Sequence, residues 1–456
     1  MNGMPESAAA QRVAARVDAA SLDLAPPKGD SPHLARWGIV PRVGDGVLLG
    51  RATLGGQAVR VVAQEGDFLG GAVGAMQAER IVAALQEALR LAQTGQVAGV
   101  LFFLDSGGVR LHEANPALVG LAQVLKACCA LRQAGVPLLC IVDEGGSAFG
   151  GAGVLAAAGS ALFLAPGAKM GVSGPKVLET LLGRANFDAG TAEALEHTFG
   201  GAARVAADLA LALPQETEAA RKALARALRP CPSLAATLDA MASALAQRLA
   251  AAGLAPAPAS PQWALAGNAV AGDALGWLWQ LEASEVHVLR CPAPGALGPR
   301  QALALGLALR SFSRRAAAGA TLVVLEDSAG HEVSPLAETL GLAHFLAWLA
   351  LCHAEVRAAG HREIGLLLGT GVSAAFFVNA LQADELYALP QARVRLMDAR
   401  AMERVTGLRQ ADIETLLEDD PVLGQPVRHL RAWKALSGQI ERLDAQTLRG
   451  LAAAMS

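Results

Sequence analysis

The chain has 456 residues, of which 53% are hydrophobic and only 17% charged. That apolar fraction excludes a mostly disordered chain, which lacks the apolar surface to offset its ordering entropy, and the length suits two or three domains. A net charge of −3 provides no basic field to neutralise a phosphate backbone, so nucleic acid is not an expected partner.

Aromatic residues are 4% of the chain, with Tyr387 the single tyrosine, so the apolar mass is mostly Ala, Leu and Val. A surface this poor in charge is expected to be partly covered by other chains, which predicts an oligomer. The six cysteines form no CxxC pair, so a zinc ribbon is excluded, and no metal-spaced His/Cys cluster occurs. Most cysteines lie in apolar runs and read as small buried hydrophobes. A reducing compartment fits them better than a disulfide framework. Met1 to Ala20 carries Glu6 and Asp18 without a long apolar core, so no export signal is read there. The expectation is a cytoplasmic protein.

In chain order, residues 1–30 read as a flexible N-terminal segment. Gln77 to Thr94 has Ile81, Val82, Leu85 and Leu89 at helical spacing. Val97 to Asp105 is an apolar run that suits a strand buried on both faces. Asn115 to Ala134 is helical and Pro137 to Val142 is a second buried strand. Gly145 to Ala168 carries no charge and is long enough to cross a bilayer. Its Gly-Gly, Gly-Ser and Pro-Gly pairs divide it instead into a glycine turn, a short helix (Gly153 to Ala158) and a strand (Ala161 to Ala165), so no membrane span is predicted. Leu213 to Ala252 is helical. Three prolines in Ala255 to Pro261 make a stiff linker, which divides a first domain, 31–254, from a second, 262–456.

The second half repeats the order of the first. Pro299 to Ala318 reads as a helix and Ala320 to Glu326 as a strand. Pro335 to Ala359 reads as one long helix and Ile364 to Gly369 as a strand. Ser373 to Leu381 then reads as a helix and Glu385 to Leu389 as a strand. Leu104-Asp105-Ser106-Gly107-Gly108 matches Glu326-Asp327-Ser328-Ala329-Gly330. Gly151 and Ala375 fall at nearly the same distance beyond the two aspartates. A duplicated α/β unit explains this pattern, and a coincidence of common α/β order is the other reading.

In each half a turn of small residues leads from a strand into a helix. The turns are Asp143 to Gly151 and Gly369 to Ala375. A turn opening a helix exposes N–H groups with no intrahelical partner, and these suit an anion. Phosphate is disfavoured, because no Lys-Ser/Thr follows either turn and no GxGxxG follows the first strand. A tetrahedral oxyanion and a thioester enolate remain. Gly371-Val372-Ser373-Ala374-Ala375 is one glycine short of a nucleophile elbow. Tight helix–sheet packing is the competing, purely structural explanation.

Several motifs then occur in order. They are Ser31-Pro32-His33-Leu34, Gly38-Ile39-Val40-Pro41, Asp45-Gly46-Val47, Gly50 to Leu54, Asp105 to Asn115, Phe149-Gly150-Gly151 and Gly171 to Val177. Together they resemble the β subunit of biotin-independent malonate decarboxylase. The second half, around Gly369 to Asn379 and Met397 to Met402, resembles the γ subunit less closely. The resemblance implies an α/β fold of two tandem crotonase-like (ClpP/crotonase superfamily) domains related by internal duplication. It implies decarboxylation of a malonyl thioester held on an acyl carrier protein, whose prosthetic group is of the dephospho-CoA type. No cofactor is then bound by this chain itself. An acyl carrier transferase (α) subunit is the further partner implied.

Carried over residue by residue, Gly150 and Gly151 fall where the family places the amides for the thioester enolate. Ala374 and Ala375 fall at a second oxyanion site, for the departing carboxylate, where Ser-Gly-Ala is usual and this chain has Ser373-Ala374-Ala375. His112 stands where Gln is usual and Ser106 where Thr is usual. Gly107 and Gly108 let the first loop approach substrate, and Gly371 and Ser373 line the second turn. Arg110 is a candidate carboxylate contact, with an ion pair to Glu113 or to a structural carboxylate as the alternative. His112 is a candidate proton donor, with a solvated loop histidine as the alternative. His344 and His353 read as core or interface residues, and His361 and Glu363 are expected to face solvent. Competing functions are a biotin-dependent carboxyltransferase, a hydrolase using Ser373, and a non-catalytic scaffold.

Overall fold

Two seven-stranded mixed sheets organise the chain. The computed structural model describes residues 7–29, 31–259, 265, 268–290, 295–397, 399, 402–403 and 409–454. The chain forms two units, one of Met1–Leu234 with Val333–His344, the other of Ala235–Glu332 with Phe345–Ser456.

The first sheet runs β1 (Asp23–Ala25), β2 (Val47–Leu54), β3 (Gln57–Gln64), β4 (Gly99–Phe103), β5 (Leu138–Val142), β7 (Ala161–Leu164), β9 (Leu211–Ala212). Its first two junctions are antiparallel and the other four parallel. Every residue of β4 and β5 is buried, as continuous apolar runs in a doubly covered parallel sheet require. A parallel two-stranded ladder, β6 (Ser147–Ala148) with β8 (Lys169–Met170), stands beside the sheet.

The second sheet runs β10 (Ala269–Ala271), β11 (Leu278–Leu281), β12 (Val286–Leu289), β13 (Thr321–Glu326), β14 (Arg362–Leu367), β16 (Glu385–Ala388), β18 (Gly438–Gln439). It repeats the same succession of two antiparallel and four parallel junctions. Its accessory ladder, β15 (Thr370–Val372) with β17 (Arg393–Arg395), is also parallel.

The structure departs from the sequence-based expectations at five places. Residues 7–29 are not a flexible segment. Ser7 caps a helix, Ala8–Arg16, and donates from Oγ to the Glu65 carboxylate at 2.5 Å. Arg16 pairs with buried Asp143 through two nitrogens at 2.7 and 2.8 Å, and β1 then forms the sheet edge. The helical stretch from Leu213 breaks into Thr217–Ala227 and Leu234–Ala251, because Pro230 and Pro232 supply no N–H between them. The division between units falls at Leu234, ahead of the Ala/Pro stretch. Its described residues instead bond within the second unit, with the Ala257 N–H donating to the Arg300 carbonyl and the Ala259 N–H to that of Leu275. The long helix expected from Pro335 is two helices, Pro335–Leu340 and Leu342–Ala358, separated by Gly341 at φ +87°. Finally, His361 and Glu363 are buried. Glu363 accepts from His353 Nδ1 at 2.8 Å and Arg357 Nη1 at 3.0 Å, so partners within the unit replace water.

The uncharged stretch from Gly145 resolves into a turn, the helix Gly151–Ala158 and β7, all within the first unit. Helix Ala114–Gln133 is long and apolar enough to cross a membrane by length and composition, and 72% of that window is buried inside the protein. Of the described cysteines, all but Cys231 are buried. Burial pushes the Cys140 thiol up to about 12.

Arg110 holds the first unit's loops together. Its Nη1 reaches Asp45 Oδ1 and Glu113 Oε1, each at 2.8 Å, and its Nη2 donates to the Asp45 carbonyl at 3.0 Å. Its Nε donates to the Ala72 carbonyl at 3.2 Å, and all three charged side chains are fully buried. Burial pushes the Asp45 carboxyl up, against the lowering effect of the Arg110 charge. Replacing Arg110 by Leu leaves two buried carboxylates without a counter-charge. The expected loss is about 3–5 kcal/mol of unfolding free energy, measured by denaturant titration. A substrate-contacting Arg110 would instead raise KM in a protein of unchanged stability.

His287 on β12 stacks edge-on against Phe312 at 4.9 Å, and neither ring nitrogen has a partner among the described residues. Burial lowers its pKa. Its folded pKa therefore lies below the unfolded value of about 6.5. The stability this neutral ring confers is present above that value and is lost as pH falls through and below it. Wild type should lose more stability than His287→Phe between pH 7.5 and pH 5, and equal losses in the two proteins would contradict this.

Candidate active site

In the first unit, the loop after β4 and the turn after β5 meet. Asp105 lies at the end of β4, and its Oδ1 accepts the Ser147 N–H at 3.1 Å. Ser106 donates its N–H to the Ser147 carbonyl at 2.7 Å and accepts the Phe149 N–H at 2.9 Å. Arg12, on the N-terminal helix, pairs with the other Asp105 oxygen at 3.2 Å. Burial pushes the Asp105 carboxyl up, and Arg12 opposes this.

These bonds set Gly108 against Gly150 and Gly151. Gly108 has φ +102°, and a side chain there would meet the Phe149 carbonyl at 3.0 Å and lie 3.6 Å from the Gly151 nitrogen. Only glycine permits both the conformation and the approach. Gly150, at φ +58°, is the N-cap of helix Gly151–Ala158. The Gly150 N–H is already given to the Val172 carbonyl at 3.1 Å, which corrects its expected role as an enolate donor. The Gly151 N–H meets no acceptor among the described residues. The Gly108 N–H is engaged only within its own loop, by Ser106 Oγ at 3.1 Å. One unpaired amide at a helix N-terminus thus lies beside a loop position that admits no side chain.

The second unit builds the same arrangement. Asp327 Oδ1 accepts the Thr370 N–H at 2.8 Å, and Ser328 donates its N–H to the Thr370 carbonyl at 2.9 Å. Gly330 has φ +101°, and a side chain there would meet Val372, the neighbour of Ser373. Leu297 donates to the Gly330 carbonyl at 2.7 Å, as Val73 does to that of Gly108 at 2.7 Å. Helix Ser373–Val378 begins with Ser373 at φ +45°. By these bonds and torsions Ser373 corresponds to Gly150 and Ala374 to Gly151. The sequence spacing had matched Ala375 with Gly151, one residue further on. The N–H groups of Ala374 and Ala375 meet no acceptor among the described residues.

The remaining expected site residues fall into two groups. Gly107 is exposed at the loop tip, with its N–H given to the Gly70 carbonyl at 2.8 Å. Gly371 is buried under Phe376, and Ser373 is half-buried. Ser106 is fully buried and braces the loop from behind. Arg110 is likewise buried and spent on Asp45 and Glu113, so it positions the loop and makes no contact at the surface. His112 is half-buried, its ring edge-on to Trp37 at 6.2 Å, and burial followed by the Arg110 charge lowers its pKa. Asp398, Arg400 and Ala401 of the C-terminal motif lie outside the described residues. The tying role of Asp105 and Asp327 was missed, although their recurrence in both halves was visible in the sequence.

Comparison with known proteins places these units. Residues 33–211 match the family model described as carboxyl transferase domain, and residues 293–453 match that of malonate decarboxylase gamma subunit. The malonyl-S-ACP:biotin-protein carboxyltransferase of Malonomonas rubra is 32% identical over 182 residues, covering 38% of this chain and 57% of that protein. The methylmalonyl-CoA carboxyltransferase 12S subunit of Propionibacterium freudenreichii subsp. shermanii is 32% identical over 139 residues, covering 30% of this chain and 25% of its own length. This chain thus spans little more than half of one curated relative and a quarter of the other. A chain in the structure of a Pseudomonas malonate decarboxylase hetero-tetramer in complex with malonate is 33% identical. That match covers 49% of this chain and 83% of that one, with a TM-score of 0.46. The chain thus carries a carboxyl transferase domain over residues 33–211 followed by a malonate decarboxylase gamma-subunit domain over residues 293–453.

Proposed function

We propose that this chain decarboxylates a malonyl thioester carried by an acyl carrier protein, leaving the acetyl thioester and CO2. The observation that carries the proposal is the free Gly151 N–H at a helix N-terminus, beside the Gly108 loop position that admits no side chain. In the reaction the bond between the thioester α-carbon and the carboxylate breaks. Its electron pair moves into the thioester carbonyl, and the enolate oxygen takes the Gly151 N–H. CO2 departs and the α-carbon takes a proton. Donors fixed where charge develops stabilise that enolate without reorganisation, typically worth 10²–10³-fold per donor.

The finer parts of this reading are as follows. The two units descend from one duplicated crotonase-like unit, in keeping with their matching strand order. Ala374 and Ala375 are assigned the departing carboxylate. The carrier bears a dephospho-CoA-type group, an acyl carrier transferase subunit loads it, and the assembly is an oligomer in the cytoplasm. The Malonomonas relative's name, with malonyl-S-ACP as carboxyl donor, supports the carrier-bound substrate. The same name has biotin-protein as acceptor, and this favours one second reading, a carboxyltransferase that hands the carboxyl group to biotin.

Mass spectrometry of the purified chain with malonyl-CoA and with malonyl-carrier, without biotin, separates these readings. Acetyl thioester with loss of CO2 is expected. Turnover only when a biotin carrier is added would establish the second reading, and free malonate would point to hydrolysis through Ser373. Gly151→Leu, which fills the space before the helix, should lower kcat by on the order of 10²-fold or more with the fold intact by circular dichroism. Retained turnover in that variant would exclude the Gly151 amide as the enolate donor.

A further inference from the structure

We infer that Glu338 is a positioning residue for the Gly151 amide, an inference that rests on the decarboxylase reading above. Glu338 lies on the helix Pro335–Leu340, which follows β13 in sequence yet belongs to the first unit. Its carboxylate is fully buried. One oxygen accepts the Ser173 N–H at 2.6 Å, and the two together accept the Val172 N–H at 3.1 and 3.2 Å. The carbonyl of that same Val172 accepts the Gly150 N–H at 3.1 Å, and Gly150 is the N-cap from which Gly151 projects its free N–H. Two hydrogen-bonded steps thus join the carboxylate to the donor that faces the enolate.

The packing leaves this segment no other position. A side chain on Gly171 would meet Glu338 Oε2 at 2.8 Å and the Phe199 ring at 2.8 Å. On the opposite side, a side chain on Gly153 would strike the Gly171 carbonyl at 2.3 Å. Residues 171–173 are therefore wedged between the Glu338 carboxylate and the helix that carries Gly151. Arg204 closes the arrangement. It donates to the Glu338 carbonyl at 2.7 Å, to Met170 at 3.0 Å and to Thr198 at 2.8 Å, with its guanidinium 3.9 Å from the carboxylate. Ser334 Oγ caps the carrier helix by accepting the Ala337 N–H at 3.0 Å. A carboxylate suits this place because both oxygens face donors. The amide of Gln would present N–H to N–H on one side. The first unit's site is consequently complete only once residues from beyond β13 have been added to it, which gives a physical reason for carrying both domains on one chain.

The test compares full-length wild type, Glu338→Gln and Glu338→Ala in malonyl-thioester decarboxylation, with hydrogen exchange of the peptide spanning Phe149 to Gly153. Glu338→Gln preserves volume and is expected to lower kcat about tenfold with KM within twofold, and to raise exchange about tenfold at Gly150, whose N–H is bonded to Val172. Glu338→Ala should lower kcat by on the order of 10²-fold. If Glu338→Ala does not fold, the Gln variant alone decides. Wild-type kcat together with wild-type exchange in Glu338→Gln would overturn the inference, as would a rise in KM with kcat unchanged. If wild type itself does not turn over a malonyl thioester, the decarboxylase reading falls. Exchange in wild type and Glu338→Gln then still decides whether the carboxylate holds the turn.

Discussion

A carboxylate at the end of one strand, accepting an N–H from the turn that follows the next, is the bond on which both sites depend. Asp105 does this for Ser147, and Asp327 for Thr370. Parallel strands end side by side, but the loops leaving them are free to diverge. The aspartate ties them, and only then do Gly108 and Gly330 meet the turns opposite. Arg12 holds the first of these carboxylates in place, so a helix at the very start of the chain takes part in shaping the site. A half-buried carboxylate that bonds an amide and a guanidinium is worth retaining, because removing one partner leaves the others buried and unsatisfied.

The chemistry asks little of the side chains. Decarboxylation of a malonyl thioester needs its negative charge received by the thioester oxygen, and a fixed backbone donor serves for that. The loops are accordingly built of residues that let backbone reach substrate, while the charged residues lie behind them. Arg110, Asp45 and Glu113 form a closed buried group under the first loop. Glu338 and Arg204 stand behind the turn. In the proposed reaction, backbone touches the reacting atoms and charge fixes the backbone.

Much of the fold was legible in the sequence because buried parallel strands are uninterrupted apolar runs. Val97 to Asp105 and Pro137 to Val142 could hardly be anything else. The recurrence of Asp-Ser-small-Gly after a strand in each half pointed to the loops that matter. What was not legible depends on partners distant in sequence. The N-terminal helix becomes ordered through Glu65 and Asp143, which local composition does not reveal. Glu363 is buried because His353 and Arg357 meet it there. For Arg110 the ion pair with Glu113 was legible as the alternative to substrate, whereas nothing in its neighbourhood announced Asp45, sixty-five positions earlier. The correspondence of the two turns was misjudged by one residue, since spacing cannot show where a helix begins and a positive φ can.

That φ value bears on how far the second site has diverged from the first. Ser373 occupies the left-handed region, at φ +45°, where the first unit has glycine at +58°. A non-glycine residue there costs roughly 1–2 kcal/mol, and such strain persists only where the surroundings over-determine it. The surroundings here are the Asp327–Thr370 bond and the paired strands β15 and β17. The second turn thus has Ser373 and Ala374 where the first has Gly150 and Gly151, with the same bonds and a similar torsion. Ala374 adds a methyl group to the turn, and its N–H, like that of Ala375, still meets no acceptor among the described residues. In the proposed reaction the two turns receive ligands of different size, a thioester enolate with its pantetheine-like arm and a carboxylate of three heavy atoms. A turn that retains unpaired donors while adding a methyl group is compatible with the smaller one.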